Sequence, residues 1–158
     1  IVNTSSPSGI YGNVGQSNYG AAKAGIAAFT LITAVELAKY GVTVNCLAPG
    51  AYTRMTAELP GFSGLDEEGQ ENFGPRWISV PTVWLCSEAA QNVTGRVFDV
   101  GGQKLGIAEQ WRLGPTAVQP DDPAELTEIM AQLMADAQPN SGMDGKPVEG
   151  PGRPGKAI

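Results

Sequence analysis

The spacing of hydrophobic residues along the first third of the chain changes twice, and each change marks the start of a new predicted element. Residues 1–5 form an apolar, extended run that enters a turn rich in Ser, Pro and Gly, which predicts a strand opening into a loop. From about Ser17 to Tyr40 apolar residues recur at helical spacing, and Gly41 is a natural helix stop. Residues 42–48 are β-branched and nearly all apolar, which is typical of a strand buried on both faces, and Pro49-Gly50 is expected to end it. The helical repeat is carried by Ala21, Ala24, Ala28, Leu31, Ile32, Val35 and Leu37.

The middle of the chain continues this alternation. Residues 51–74 contain an acidic cluster together with several Gly and Pro residues, which indicates a lid-like loop with one short helix. A helix is predicted from about Val80 to Ala90, with Ser79 as its N-cap and Pro81 in its first turn. Residues 96–100 alternate as a third strand that ends at Gly101-Gly102. The predicted helix from Val80 to Ala90 is expected to pack Val83, Trp84 and Leu85 toward the core. The order strand, helix, strand, helix, strand predicts an α/β fold with a doubly wound parallel sheet.

The pattern changes after Gly102, so residues 1–102 are interpreted as one α/β part and residues 103–137 as an extension with one helix. Asp122 and Glu125 form a capping pattern around Pro123, at the start of an amphipathic stretch. Residues 138–158 are rich in Gly and Pro and poor in large apolar side chains, which predicts a flexible tail. The apolar face of the extension helix comprises Leu126, Ile129, Met130, Leu133 and Met134.

Composition narrows the classes of function. The chain has 158 residues, of which 42% are apolar and 16% charged, as expected of one globular domain. Its net charge of -6 argues against a basic surface for nucleic acid. No continuous run reaches the roughly 18 apolar residues of a membrane helix, and the first residues do not resemble a signal peptide. We therefore expect a cytoplasmic protein without a nucleic-acid or membrane partner.

The chain contains no histidine and only two cysteines, Cys46 and Cys86. Absence of histidine excludes Ser-His-Asp and Cys-His chemistry within these residues. The cysteines are isolated in apolar surroundings without metal or redox spacing. We expect two buried free thiols and no metal site.

Tyr19 and Lys23 are four residues apart near the start of the long predicted helix, so both project from the same face. A nearby ammonium stabilises a phenolate and lowers the pKa of a tyrosine from its usual value of about 10. The pair can therefore act as a general acid or base. A chance pair of this spacing is a realistic alternative, so the surrounding residues decide between the two.

These surroundings resemble the short-chain dehydrogenase/reductase family. The resemblance is carried by IVNTSS with Ser6 thirteen residues before Tyr19, GQSNYGAAKAG around the tyrosine and lysine, VTVNCLAPG in the next strand, and VTGRVFDVGG in the last. It implies a Rossmann-like fold and an oxidoreductase that uses NAD or NADP and a small-molecule substrate. It also implies that Tyr19 exchanges a proton with the substrate oxygen, Ser6 orients that oxygen, and Lys23 stabilises the phenolate and binds the nicotinamide ribose.

The same resemblance assigns a cofactor segment at Pro49, Gly50, Tyr52 and Thr53, in which the Tyr52 backbone and the Thr53 hydroxyl contact the nicotinamide carboxamide. The family commonly has one more residue between Pro-Gly and the threonine, so Thr56 is the alternative to Thr53. The family's Gly-rich cofactor turn and relay asparagine have no counterpart in this chain. It is therefore interpreted as the C-terminal half of such an enzyme, truncated at its N-terminus, poorly soluble and inactive by itself.

A narrower resemblance is to the 3-hydroxyacyl-CoA dehydrogenase units of peroxisomal-type multifunctional enzymes. It is carried by APGAYTRMT, VPTVWLCSEA and FDVGGQKLGIAEQWR. The family also implies a homodimer or homotetramer through the Tyr19/Lys23 helix, for which we predict an outer face of Ala27, Phe29, Thr30 and Ala34. Two alternatives remain open: a redox-inactive binding or assembly module, and a lyase, isomerase or epimerase that uses the same tyrosine.

Overall fold

The computed structural model describes residues 1–109 and 111–148. They divide into two compact units. The first, residues 1–109, contains the sheet and every residue of the predicted site. The second comprises the remaining described residues, 111–148.

The first unit is built on a four-stranded sheet in the order β1 (Val2–Thr4), β2 (Asn45–Gly50), β3 (Val97–Gly101) and β4 (Lys104–Ala108). The first three strands are parallel, as the sequence predicts, and the α/β fold class is confirmed. β4 is antiparallel to β3, so the prediction of a parallel sheet is wrong at this edge. The sequence did not reveal β4 because the strand is short, has a glycine in its interior and leaves most of its side chains in solvent.

β2 starts at Asn45, later than its sequence predicts. It also ends later, because Pro49 and Gly50 belong to the strand instead of ending it. Proline lacks the N–H that a central strand normally uses for pairing. Pro49 lies beyond the end of β1, where only β3 still pairs with the strand, so that N–H is not needed. The carboxyl end of β2 therefore projects past that of β1.

Helices cover both faces of this sheet. On one face lie α1 (Pro7–Ile10) and α2 (Ser17–Leu37), and a 3-10 turn, Ala38–Tyr40, continues α2. On the other face lies α4 (Arg76–Leu85), and a second 3-10 turn, Glu88–Ala90, follows it. Because successive strand residues point to opposite faces, Cys46 and Ala48 pack toward α2 while Leu47 packs toward α4.

The orientation of α2 differs from the prediction. Its buried residues are Ala27, Thr30 and Ala34, for which the sequence predicts the outer face. Phe29, predicted on the same face, is exposed, and so is Val35 of the predicted helical repeat. The small residues let the helix backbone approach β1 and β2 closely, and Thr30 also donates a hydrogen bond to the Ile26 carbonyl. Such a helix is apolar almost all round, so periodicity alone could not select the buried face.

The helical segment Ser17–Tyr40 also has the length and apolar composition of a membrane-spanning helix, contrary to the expectation from the sequence. The segment is not a continuous apolar run, because Lys23 and Glu36 interrupt it. The core helix of a globular protein meets the same criterion. In this structure the segment covers one face of the sheet and contacts α1.

α4 begins at Arg76 instead of Val80, so Ser79 is an internal residue and Pro75 precedes the helix. Leu85 is buried as expected, but Val83 and Trp84 are 70% and 45% exposed, so their predicted inward orientation is wrong. The short helix expected in the preceding loop is α3 (Glu67–Asn72), and the Asp66 carboxylate caps it by accepting from the Gly69 N–H at 2.9 Å.

In the second unit, α5 (Leu126–Asp136) follows a 3-10 turn, Pro123–Glu125. The predicted cap is present at Asp122, whose carboxylate accepts from the Ala124 N–H at 2.9 Å. Within the predicted tail, Ser141 and Pro147 form an isolated antiparallel bridge. The remainder of that predicted tail, residues 149–158, lies outside the described residues.

Candidate active site

Ser6 lies where the carboxyl end of β1 enters α1. It is buried and forms the N-cap of α1, with Oγ accepting a hydrogen bond from the Ser8 N–H at 3.2 Å. A hydroxyl has one donor and two acceptor positions, so this cap leaves its proton available for another oxygen. The local turn role and a role in binding an oxygen are therefore compatible.

Close packing of α1 against α2 sets the distance between Ser6 and the long helix. A Cβ placed on Gly9 would lie 2.6 Å from the Ala24 backbone nitrogen and 2.7 Å from the Lys23 carbonyl carbon. The Cβ atom of any other residue would overlap the α2 backbone, so glycine is required for this approach. The contact occurs at the turn of α2 that carries Lys23.

Tyr19 and Lys23 lie on the same face of α2, near its N-terminal end. The Lys23 ammonium is 5.7 Å from the centroid of the Tyr19 ring. The Tyr19 side chain is 44% exposed, so a molecule in solvent can reach it. Lys23 Nζ also donates to the Thr4 carbonyl at 3.1 Å, which ties the ammonium to the end of β1.

The segment after β2 places the predicted cofactor residues at the neighbouring strand end. Gly50 is the last residue of β2, and the Tyr52 N–H donates to the Phe73 carbonyl at 2.8 Å. The backbone N–H of Tyr52 is thus already in use, so of its two backbone groups only the carbonyl can bind a ligand. The carboxyl ends of adjacent parallel strands form the usual ligand-binding edge of an open α/β sheet.

Thr53 and Thr56 form a closed turn in which their hydroxyls have different roles. Thr56 Oγ1 donates to the Ala51 carbonyl at 2.7 Å and accepts from the Thr53 N–H at 2.8 Å. Its proton is thereby used, so the 3.0 Å contact between the two hydroxyl oxygens has Thr53 as donor. Thr56 is saturated by these three bonds, whereas Thr53 Oγ1 retains its lone pairs for a donor from solvent or ligand.

Residues 51–74 form a loop whose base is closed by side-chain packing. The Phe62 ring lies 5.6 Å from that of Phe73, edge to face, and 6.5 Å from that of Tyr52. Gly102 has a φ of 56°, and a Cβ placed on it would lie 2.7 Å from the Asn72 carbonyl oxygen. The loop is thus seated against the turn between β3 and β4.

Tyr11 and Asp99 are two residues of this region that sequence reasoning missed. The Tyr11 hydroxyl donates to the Asp99 carboxylate at 3.1 Å, and Lys104 lies 3.4 Å from the same oxygen. Burial, with Asp99 adding to it, raises the pKa of Tyr11 to about 12. Tyr11 therefore stays protonated near neutral pH and anchors the end of α1 to the sheet. The two residues are 88 positions apart, so no local pattern could have identified the pair.

The cysteines differ from each other. Cys46 is fully buried in β2, and burial raises the pKa of its thiol, so it remains protonated. Cys86 is exposed, which shows that the expectation of two buried thiols is wrong for this residue. Among residues 1–109 and 111–148, no three potential metal ligands cluster together.

Comparisons with known proteins show which family the sequence resembles. The sequence profile of the short chain dehydrogenase family matches residues 1–61. The chain is 39% identical over 144 residues to the hydroxyacyl-CoA dehydrogenase ChsB1 of Mycobacterium tuberculosis, covering 88% of this chain and 45% of that protein. It is 41% identical over 134 residues to the peroxisomal hydratase-dehydrogenase-epimerase of Saccharomyces cerevisiae, covering 82% of this chain and 14% of that protein.

Solved structures give the same relationship. A short chain dehydrogenase from Mycobacterium avium superposes with a TM-score of 0.76 at 45% identity, over 95% of this chain and 48% of that one. The peroxisomal multifunctional enzyme type 2 of Drosophila melanogaster superposes with a TM-score of 0.68 at 26% identity, over 84% of this chain and 24% of that one. The chain spans less than half the length of each of these four proteins. On the strength of its fold, its motifs and these matches, the chain belongs to the short-chain dehydrogenase/reductase family.

Proposed function

We propose that this chain supplies the proton-transfer part of an NAD- or NADP-dependent oxidoreductase that interconverts a secondary alcohol and a ketone. The observation that carries the proposal is the grouping of Ser6, Tyr19 and Lys23 around the end of β1. One buried hydroxyl, one exposed phenol and one tethered ammonium occur there without a carboxylate or imidazole among them. This set suits a reaction in which a single oxygen gains or loses a proton.

In the oxidation direction, the Tyr19 phenolate takes the proton from the substrate hydroxyl. Ser6 Oγ donates a hydrogen bond to the same oxygen and holds it near the phenol. The Lys23 ammonium lies 5.7 Å from the ring centroid, so its positive charge is close to the group that exchanges the proton. The donors are fixed before the reaction begins, so they stabilise the charge that develops on the oxygen without having to reorganise. When bound, a nicotinamide cofactor accepts the hydride from the substrate carbon.

The residues at this edge fit a nicotinamide cofactor. A lysine ammonium has three donors, and among residues 1–109 only the Thr4 carbonyl accepts from that of Lys23. The others can donate to ribose hydroxyls. The free lone pairs of Thr53 Oγ1 and the Tyr52 carbonyl suit the N–H groups of a carboxamide. Because Thr56 is saturated, this geometry favours Thr53 of the two threonines.

For the substrate we propose a 3-hydroxyacyl or 3-oxoacyl thioester. The proposal is supported by the names of the relatives, which include a hydroxyacyl-CoA dehydrogenase and 3-oxoacyl-(acyl-carrier-protein) reductases. The names of these relatives also leave open whether the thioester is carried by coenzyme A or by a carrier protein. We further propose a cytoplasmic homodimer or homotetramer. The exposed Phe29 on α2 is available for such an interface in the described structure, and mass measurement of the full-length protein tests it.

The experiment uses the complete coding sequence that contains this chain, because the chain spans less than half of its relatives' length. The purified protein is mixed with a 3-hydroxyacyl-CoA, a 3-hydroxyacyl carrier protein or a simple secondary alcohol, each with NAD or NADP. Reduction of the nicotinamide with a thioester substrate supports the proposal. Absence of reduction with every substrate and both cofactors contradicts it.

A further inference from the structure

The side chain of Ser5 is polar, 2% exposed and not used in the reaction proposed above. Its hydroxyl donates to the Lys23 carbonyl at 2.7 Å, and its backbone N–H donates to the Leu47 carbonyl at 2.7 Å. Ser5 therefore joins three elements, the end of β1, the middle of β2 and the α2 turn that carries Lys23. A buried hydroxyl that bonds a helix carbonyl from outside the helix fixes the position of that turn.

Lys23 is held at both ends by consecutive residues of β1 and the loop after it. Its ammonium donates to the Thr4 carbonyl, and its own carbonyl accepts from Ser5. A free lysine side chain samples many rotamers, and two attachments restrict where the ammonium can lie. The next residue is Ser6, so residues 4–6 fix the ammonium and the oxygen-binding hydroxyl relative to each other.

We propose that Ser5 is a positioning residue, which holds Lys23 at the distance from Tyr19 that proton transfer requires. This inference rests on the proposed oxidoreductase function. Loss of the Ser5 hydroxyl removes one attachment of the Lys23 turn to the end of β1, so the ammonium is held less closely beside Tyr19. Higher pH is consequently needed for oxidation.

Few other titratable groups face Lys23 in the described structure. Tyr19 lies on its own helix, and Cys46 faces it from β2. α1 and β1 carry no ionisable side chains. A change in the pH profile after substitution of Ser5 therefore reports on the Lys23 and Tyr19 pair, because the Cys46 thiol is buried and protonated.

Thr30 provides a matched control. It is fully buried, donates to the Ile26 carbonyl at 2.8 Å and accepts from the Asn3 side-chain amide at 3.0 Å. It thus links α2 to β1 by a hydroxyl, as Ser5 does, but it is seven residues from Lys23 and lies outside the proposed site. Thr30→Val removes this link with little change in volume.

The test compares Ser5→Ala, Ser5→Cys and Thr30→Val in the full-length enzyme, assayed for alcohol oxidation across pH. Both Ser5→Ala and Thr30→Val are expected to lower the melting temperature. Only Ser5→Ala is expected to lower kcat/KM by about tenfold and to raise the pH of half-maximal activity by about one unit. Ser5→Cys keeps the side-chain shape and a weak donor on a larger atom, so its pH shift is expected to be smaller. It carries the test if Ser5→Ala does not fold.

The proposal is overturned if Ser5→Ala, or Ser5→Cys in its place, matches the wild-type pH profile and kcat/KM. It is equally overturned if Thr30→Val produces the same shift and loss, because the effect is then one of general stability. Turnover retained in Tyr19→Phe is a different outcome. It refutes the proposed function itself, regardless of how the Ser5 variants behave.

Discussion

Gly9→Ala tests whether the contact between α1 and α2 controls both stability and activity. In the native structure the added methyl group would lie 2.6 Å from the Ala24 backbone nitrogen and 2.7 Å from two atoms of Lys23. Ordinary contacts of this kind are 3.4–4 Å, so the two backbones must separate by most of an ångström. Neither helix backbone can rotate away as a flexible side chain would.

The expected magnitude follows from two opposing effects. Overpacking of a rigid contact costs about 1–3 kcal/mol, whereas alanine is favoured over glycine within a helix by about 1 kcal/mol. Gly25→Ala has only the second effect, because nothing lies within 4 Å of a Cβ at that position of α2. The difference between the two variants therefore isolates the steric cost of about 1–3 kcal/mol. Each kcal/mol corresponds to roughly 2–4 °C in the melting temperature of a protein of 150–250 residues.

Thermal unfolding and steady-state kinetics of both variants provide the assay. Gly9→Ala is expected to melt below Gly25→Ala and to lose up to about 100-fold in kcat, because displacement by about an ångström disturbs proton transfer between fixed groups. Gly25→Ala is expected to match the wild-type rate. Equal melting temperatures and equal rates for the two variants would refute the idea that this contact sets the site.

Three further predictions concern the surroundings of the site. Gly102→Ala is expected to lower the free energy of unfolding by about 2 kcal/mol or more in urea titration, since the φ of Gly102 is 56° and an added Cβ would meet the Asn72 carbonyl. Gly41 also has positive φ but has open space around it, so a loss no larger than that of Gly41→Ala would contradict the prediction. Raising the pH from 10 to 12 is expected to lower the free energy of unfolding of the wild type more than that of Tyr11→Phe. The reason is that the pKa of Tyr11 is about 12 in the native state and 10 in the unfolded state, so the unfolded state loses this proton first. Parallel curves of unfolding free energy against pH in urea titrations would contradict this prediction. Thr53→Val is expected to weaken binding of the oxidised cofactor about tenfold in calorimetry, whereas Thr56→Val is expected mainly to lower stability. Weaker cofactor binding in Thr56→Val than in Thr53→Val would assign the carboxamide contact to Thr56.

The spacing of hydrophobic residues and the positions of turn residues were sufficient to predict the strands and the helix that carry the candidate site. The strand before Ser6, the helix with Tyr19 and Lys23, and the strand that ends near Gly101 all occur close to their predicted positions. Each has a strong local signal, either a continuous apolar run or a long helical repeat. α1 was not predicted because its four residues include Pro and Gly and are composed like a turn. Its helical conformation depends on the Ser6 cap and on packing at Gly9.

The contacts that position the site could not be predicted from the sequence. The bonds from Ser5 to Lys23 and from Tyr11 to Asp99 join residues 18 and 88 positions apart, and each depends on how helices pack on the sheet. The predicted orientation of α2 was also wrong, because the small residues Ala27 and Ala34 pack against the sheet, whereas Val35 of the predicted helical repeat is exposed. Sequence spacing thus identifies the residues proposed for the site, while packing decides how they are held.

The most direct test of the central claim is the turnover of Tyr19→Phe in the full-length enzyme, with cofactor binding measured on the same samples. Tyr40→Phe is the matched control, because Tyr40 also has a lysine ammonium 5.0 Å from its ring centroid but is 67% exposed at the opposite end of the helical segment. If Tyr19 carries the proton, its variant loses about 100-fold or more in kcat with cofactor affinity within about twofold of wild type, and Tyr40→Phe keeps full activity. Turnover of Tyr19→Phe at the wild-type rate would contradict the claim and place the proton donor elsewhere.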